Sequence, residues 1–372
     1  MAMHLVSLVV SDFRNIEEVS FQPAPTGTTV VSGPNGAGKT SLLEAIGYLA
    51  TLQSFRGVPR EAMIRSGADQ AIVRGTVVAG DRMVEVEAEI TASGRSRTLV
   101  NRQRVDRRAD LDDALRITLF SPEDLTVVRG GPSGRRRFLD DLLAAVDPRV
   151  APVVDEVDKT IRQRTALLRR AGGRLSPDLA ATLDVWDARL DQAGALLADH
   201  RAALTGRLIT LVSAHHARLS GRETPVDLRY RRTWEGSLLA ALVASRPGDL
   251  ARGMTLVGPH RDDLDVSLAG LPARTHASQG EQRTLALALR LAAHELVTAR
   301  AGSPPVLLLD DVFSELDPSR AGALLAGLGS GQAILTTAMP PPAEVAVSHT
   351  VVMEAGGRIE AAGDHSPVDG PR

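Results

Sequence analysis

Three segments of this chain carry residue types and spacings suited to handling a nucleoside triphosphate. Gly33-Pro34-Asn35-Gly36-Ala37-Gly38-Lys39-Thr40, followed by Ser41, fits the P-loop pattern G-x-x-x-x-G-K-[ST]. Backbone N–H groups of such a turn cradle phosphates, and the helix that follows adds the positive end of its dipole. Lys39 supplies a compact, rotatable ammonium for the β and γ phosphates, and the Thr40 hydroxyl suits Mg²⁺. The chain holds only two lysines, Lys39 and Lys159, among 43 Lys plus Arg. One of those two stands where a planar guanidinium would not serve. Far downstream, Val306-Leu307-Leu308-Leu309 runs into Asp310 and Asp311. Asp310 is placed to hold Mg²⁺ beside Thr40, and Asp311 to act as the catalytic carboxylate. Between these two segments, Ser278-Gln279-Gly280-Glu281-Gln282 opens an apolar-striped helix. Ser278 and Glu281 have the spacing of a capping box, which gives both a structural role as well.

The elements needed to position these residues are legible around them. A strand over 28–32 leads into the P-loop, and a helix from Lys39 carries Leu42, Leu43, Ala45, Ile46 and Leu49. Residues 3–120 read as strand-rich, with further runs over 5–10, 19–22, 71–79, 83–91 and 97–100. From Pro122 to about Arg222 the pattern turns helical. One helix follows Pro148, Gly172-Gly173 makes a turn, and Ser176-Pro177 starts a second helix that reaches about Leu211. Mixed α/β character returns over 254–268. The helix 278–300, the acidic strand, a helix capped by Asp317 and a strand over 332–337 follow.

This pattern predicts an α/β fold: an ABC/SMC-like P-loop ATPase head with an inserted helical arm. The head is discontinuous, built from residues 1–120 and 254–365, with the arm over 121–253 and a disordered tail at 366–372. In the ABC arrangement, Ser278, Gln279 and Gly280 at a helix start face the γ-phosphate held by the opposite protomer, so ATP implies a homodimer. ABC-type ATPases generally carry glutamate where Asp311 stands. The shorter side chain points to slow turnover, a switch more than a motor. Ser314-Glu315-Leu316-Asp317 has D-loop spacing, and Phe120-Ser121-Pro122-Glu123-Asp124 occupies the Q-loop position, with Glu123 or Asp124 in place of glutamine.

Composition narrows the class. The chain has 372 residues, enough for two or three domains, and no cysteine, which excludes disulfides, thiolate nucleophiles and Cys-based zinc sites. There is no signal-peptide pattern and no apolar run of membrane-spanning length, so the expected location is cytoplasmic. Aromatics are only 3%, which argues against binding nucleic acid by stacking many bases. The net charge is −2, yet residues 121–255 carry 21 basic against 17 acidic side chains. Arginines cluster at Arg95, Arg97, Arg102, Arg104, Arg107 and Arg108, again at Arg135–Arg137, and at Arg229, Arg231 and Arg232. Arginine clusters are ordinarily solvated surface. On a clamp-like ATPase they become phosphate contacts, and the first cluster is the expected DNA-binding segment. Arg136 and Arg137 are expected to be partly structural, beside Phe138 and Leu139.

The chain resembles the RecF family of DNA recombination and repair proteins, relatives of the SMC and ABC heads. The resemblance runs through Asp12-Phe13-Arg14-Asn15, the P-loop into Leu43-Glu44-Ala45-Ile46, Phe120 to Leu125, and Pro132 to Asp140. It continues through Gly258-Pro259-His260-Arg261-Asp262-Asp263-Leu264, Ala277 to Thr284, and Leu308 to Asp317. It implies an ATP-dependent dimer acting at DNA gaps, with RecR and RecO partners that help load recombinase. It also implies roles in replication restart and the SOS response, and nucleotide contacts from Arg14 and Asn15. The competing readings are a transporter ATPase subunit, an SMC-like chromosome-organising scaffold and a non-hydrolysing scaffold. A transporter subunit would carry Leu-Ser-Gly-Gly-Gln, a switch histidine where Thr336-Thr337 stands, and a much shorter interval from P-loop to signature. A chromosome organiser would have far longer arms.

Overall fold

The computed structural model describes residues 3–105, 111, 114–314, 316–329, 331–338 and 347–361. In chain order, β1 (His4–Phe13), β2 (Ile16–Phe21) and β3 (Gly27–Ser32) precede α1 (Lys39–Thr51). Strands β4 (Gln70–Ala79), β5 (Arg82–Thr91), β6 (Arg97–Val100), β7 (Gln103–Val105) and β8 (Ile117–Phe120) follow. The next elements are α2 (Leu125–Arg129), α3 (Pro132–Val146), α4 (Ala151–Ala171), α5 (Pro177–Ser220), β9 (Val226–Arg231) and α6 (Leu238–Arg252). Then come β10 (Asp263–Leu268), β11 (Leu271–Pro272), α7 (Ala273–His276) and α8 (Gln279–Ala301). The chain closes with β12 (Val306–Leu309), α9 (Pro318–Ala326), β13 (Gln332–Thr337), β14 (His349–Met353) and β15 (Ile359–Ala361).

These elements form two compact units, residues 1–123 with 294–372, and residues 124–293. The first holds two six-stranded sheets. One is antiparallel, in the order β2-β1-β4-β5-β6-β7. The other has the order β15-β14-β3-β13-β12-β8, parallel from β14 to β8. The apolar stripe of α1 is buried in one continuous core with residues of both sheets, among them Leu5, Leu8, Val73, Val86, Leu308 and Ile334. The parallel strands β12 and β13 are buried along their whole length; β12 is a continuous apolar run, and β13 sets Ala333, Ile334 and Leu335 between Gln332 and Thr336-Thr337.

The second unit is not purely helical. The paired helices α4 and α5 are joined by a turn at Gly172-Gly173, both with positive φ. Ser176 caps α5 as expected, by accepting a hydrogen bond from the Leu179 N–H, but the helix continues to Ser220 rather than ending near Leu211. At 44 residues it is about 66 Å long. A three-stranded sheet, β11-β10-β9, completes the unit. That sheet moves the boundary from the expected 254. Strand β10 pairs with β9 over six residues, so the segment after 254 is tied by backbone hydrogen bonds to the insertion and groups with it.

The inserted unit also buries charge. Arg164, fully inaccessible, donates to Asp187 and Asp249 at 2.6 Å each, and Arg246 joins at Asp187 and Asp184. Arg135 pairs in bidentate fashion with Asp263 at 2.7 and 2.8 Å, and Arg136 donates to the Asp262 carbonyl. The structural pair in that arginine run is therefore Arg135 and Arg136. Arg137 is exposed and bonds only loosely to Asp141, at 3.8 Å. The cause is helical spacing: Arg135 shares a face with Phe138, Leu139 and Leu142, and Arg137 falls on the opposite side.

His260 gives this unit a measurable acid sensitivity. Its Nε2 lies 3.0 Å from the Thr255 carbonyl, which can only accept, so Nε2 carries the proton of the neutral ring. Burial pushes the imidazole down to about 4. The Thr255 hydrogen bond opposes the shift, and the Arg261, Arg136 and Arg164 charges add to it. Between that value and the ordinary 6.5, the unfolded chain binds a proton that the folded chain does not. Stability is therefore fully present above 6.5 and falls as pH drops toward 4, by up to about 3 kcal/mol. His260→Gln, whose amide can keep the Thr255 bond, is expected to flatten this loss in denaturant titrations across that range. An identical pH slope for both proteins would show that His260 is not the group responsible.

Candidate nucleotide site

The parallel sheet brings the P-loop and the acidic pair together. Strands β3 and β12 flank β13, and all three end on the same side, where ligands of open α/β sheets bind. The loop between β3 and α1 needs glycine at its ends. Gly33 has φ 152°, and a Cβ there would lie 2.1 Å from the Met353 carbonyl oxygen. Gly38 has φ 113° and stands at the N-cap of α1, with no side chain capping the helix and no acidic residue in its first turn. The first N–H groups and the dipole of α1 are thus left for an anion.

Lys39 is buried, and its Nζ donates to the Gly33 and Pro34 carbonyls at 2.8 and 2.9 Å. Burial lowers its pKa, partly offset by Asp311 and Asp310. Thr40 Oγ1 donates to Asp310 Oδ1 at 2.9 Å, across 270 residues of sequence. Thr336 Oγ1 donates to the same oxygen at 2.8 Å and accepts the Asp311 N–H at 3.1 Å. Burial raises the Asp310 carboxyl; the Thr336 and Thr40 bonds oppose this, and the Asp311 and Glu123 charges reinforce it. Asp311 itself has φ 49°, a left-handed backbone that is strained for a residue with a Cβ and is commonly found at functional sites.

A cleft of about 590 Å³ opens over this group. Its lining includes Arg14, Asn15, Asn35, Gly36, Gly38, Lys39, Thr40, Ser41, Arg56, Asp311 and Thr336. Arg14 and Asn15 form the two-residue turn between β1 and β2. Asn15 staples the loop, with Nδ2 donating to the Gly36 carbonyl at 2.7 Å and Oδ1 accepting from Ser41 Oγ at 2.8 Å. The residues present fit Mg·ATP. Among the described residues no three His, Asp or Glu converge. The Thr40 hydroxyl and the Asp310 carboxylate, joined by a hydrogen bond, could hold a metal, a sparse oxygen set that would suit Mg²⁺ arriving with phosphates.

Of the other predicted residues, Glu123 is near enough for its charge to act on Asp310. Ser121 Oγ donates to Glu123 at 2.8 Å, just past β8. Asp124, the other Q-loop candidate, is engaged with Arg290. In the second unit the capping box forms reciprocally: Ser278 N–H to Glu281 Oε2 at 2.8 Å, and Glu281 N–H to Ser278 Oγ at 3.3 Å. Ser278 and Gln279 are exposed there, and Gly280 is half-buried. Asp317 caps α9 by accepting from the Arg320 N–H.

The described arginines of the segment, Arg95, Arg97, Arg102 and Arg104, are all exposed, and Arg104, opposite Leu99, shares the face of Arg97. Arg95 and Arg102 are exposed on turns at opposite ends of β6. Arg97 lies across from Glu89 and is paired with it at 2.6 Å. Glu85 and Glu87 continue that row along β5, bridged by Arg74. The alternation that puts Arg97 on the solvent face puts these glutamates there too. Arg107 and Arg108 lie outside the described residues. Sequence reasoning passed over Thr336 as a functional group, noting only that it is not histidine. It also passed over Arg56, which carries no motif.

Comparison with known proteins agrees with this geometry. The model of the RecF/RecN/SMC N-terminal domain matches residues 4–354. A "DNA replication and repair protein RecF" of Frankia alni is 44% identical over 94% of this chain and 98% of its own length. This chain belongs to the RecF family. A RecF of Streptomyces avermitilis is 42% identical over 90% of the chain and 93% of its own length. A solved recombination mediator protein RecF-ATP of the RecFOR pathway superposes on this RecF-family chain with a TM-score of 0.85 at 28% identity, covering 97% and 99% of the two chains. An Smc head domain from Pyrococcus furiosus shares the fold, with a TM-score of 0.59 at 16% identity over 96% of each chain. The fold is thus an ABC/SMC-like ATPase head, as the motifs predict.

Proposed function

We propose that this RecF-family chain is an ATP-switched DNA-binding protein of recombinational repair and replication restart. The observation that carries the reading is the hydrogen bond from Thr40 to Asp310, which brings the P-loop and the acidic strand end to one cleft. Lys39 and the N-terminus of α1 bind the phosphates. Thr40 and Asp310 hold Mg²⁺, which supplies charge neutralisation. Asp311 orients the attacking water and takes its proton, and its short side chain gives slow hydrolysis. Ser278, Gln279 and Gly280 serve the nucleotide of a second protomer, so ATP favours a homodimer that closes on DNA and hydrolysis releases it. The relatives' names support repair and replication, and the RecFOR pathway of the solved relative supports RecR- and RecO-type partners. On this reading the protein acts in the cytoplasm at gapped DNA and helps load recombinase.

DNA contact on this reading is electrostatic and independent of sequence. Arg102 and Arg104, both exposed, remain the first choice for it. Duplex binding by the ATP-loaded protein, measured across a salt series, is the test. Replacing Arg102 and Arg104 together should reduce the log–log salt slope by about 1 to 2 units and leave ATP affinity unchanged. An unaltered slope would move the DNA surface elsewhere. Absence of any ATP-dependent DNA binding, or of DNA-stimulated hydrolysis, would refute the functional reading itself.

A further inference from the structure

We infer that Glu44 is a positioning residue of the nucleotide site, acting through Arg14. The inference rests on the reading of the cleft as the ATP site. Glu44 lies on α1, one turn beyond Thr40, and its side chain is wholly buried. Leu42, Leu43, Ala45 and Ile46 around it are all core residues. An ionised carboxylate is a costly occupant of such a place unless its oxygens are spent on a partner. They are: Oε2 accepts from Arg14 Nε at 2.8 Å and Oε1 from Arg14 Nη2 at 2.7 Å, the two-pronged fit of guanidinium to carboxylate. Ser54 Oγ steadies Oε1 with a further short hydrogen bond.

The other end of this arrangement faces the cleft. Arg14 lines the cleft, as does Arg56, whose Nη1 is 4.0 Å from Glu44 Oε2. Arg14 also donates from Nη1 to the Ala62 carbonyl at 2.7 Å. The described partners thus use three of its five N–H donors and leave two for an anionic ligand. Its backbone has φ 56°, the left-handed conformation that the two-residue hairpin turn between β1 and β2 requires. A packing role would be served as well by an apolar residue. What the carboxylate adds is a fixed plane for a long cation at the wall of the phosphate cleft. That removes in advance the ordering cost that Arg14 would otherwise incur on binding.

The test is a double-mutant cycle on the full chain, with Mg·ATP affinity read by calorimetry and steady-state hydrolysis alongside. In Glu44→Gln the amide has one acceptor and turns N–H donors toward a guanidinium that has none to receive them. ATP affinity is expected to fall about tenfold. The loss should appear in KM, with kcat at saturating ATP changed much less. Glu44→Gln combined with Arg14→Ala should bind no more weakly than Arg14→Ala alone, because the carboxylate has nothing left to position. Additive losses, or wild-type affinity in Glu44→Gln, would overturn the inference. Should Glu44→Gln fail to fold, Ser54→Ala removes only the bond that steadies Oε1. A loss of about two- to threefold, absent from the Arg14→Ala background, is then expected, and an equal loss in both backgrounds would overturn the inference. Lys39→Ala separates the two levels. Undiminished ATP binding there would remove the ATP site itself, whereas abolished binding with an unaffected Glu44→Gln would remove only the role of Glu44.

Discussion

Asp311→Asn is expected to lower ATP hydrolysis by roughly 10²- to 10⁴-fold, the usual worth of a positioned general base, while ATP still binds. The substitution keeps the shape of the side chain and leaves Asp310 with its partners Thr40 and Thr336. The backbone N–H of residue 311 can still reach Thr336 Oγ1. Asparagine tolerates the left-handed backbone at this position better than most residues, so the strained φ of 49° is not an obstacle. With hydrolysis stopped, the ATP-bound dimer should outlive that of the wild type. Asp310→Asn should behave differently. It turns an N–H₂ or a neutral oxygen toward Thr40 where the charge of a metal site belongs. Mg·ATP affinity should drop about tenfold or more, some 1.4 kcal/mol or above. Equilibrium binding in the presence and absence of Mg²⁺, with single-turnover hydrolysis, separates the two. Identical binding defects in both variants would show that the carboxylates do not divide the work between metal and water.

The parts of this molecule that were legible in the sequence share one property: their chemistry is local in the chain. The P-loop declares its own turn, its glycines and its helix. Val306–Leu309 is apolar throughout and ends in acid, so strand, burial and exit point are written together. Ser278 and Glu281 are three residues apart, and the capping box they imply is the one observed. What stayed hidden is long-range pairing of charge. Arg164, Asp187 and Asp249 lie on three different helices, each with the composition of an ordinary solvated face, and only packing reveals that all three are buried. Glu44 is similar: one acid in an apolar helix, its partner Arg14 thirty residues away. The arginine run is the opposite case. Its basic character is local and legible, but the sequence does not announce that the hairpin sets β5 glutamates on the same face, with Glu89 paired to Arg97. The arm boundary was misplaced for the same reason, since nothing local in β10 announces that it pairs with β9.

The composite-site reading makes the most demanding prediction, because Ser278 has a sufficient structural job without it. The hydroxyl accepts the Glu281 N–H, and the Glu281 carboxylate accepts the Ser278 N–H in return. Losing such a cap costs about 0.5 to 2 kcal/mol of stability and nothing more. On the functional reading, the same hydroxyl and the helix start at Gln279 and Gly280 meet the γ-phosphate of the opposite protomer. Ser278→Arg tests this by bulk: ATP should bind near normally while ATP-dependent dimerisation and hydrolysis are lost together. Ser278→Asp tests it by charge. Aspartate caps a helix as well as serine does, so the fold and its melting temperature should hold. A carboxylate nevertheless repels a phosphate arriving at the same helix N-terminus, and its charge takes up the positive potential that the phosphate would have used. Sedimentation with and without ATP, alongside ATP affinity of the monomer, reads the result. The functional reading requires both variants to stay monomeric with ATP bound, Ser278→Asp at undiminished thermal stability. If Ser278→Asp dimerises as the wild type does, Ser278 is a helix cap and the second phosphate-binding surface lies elsewhere on the chain.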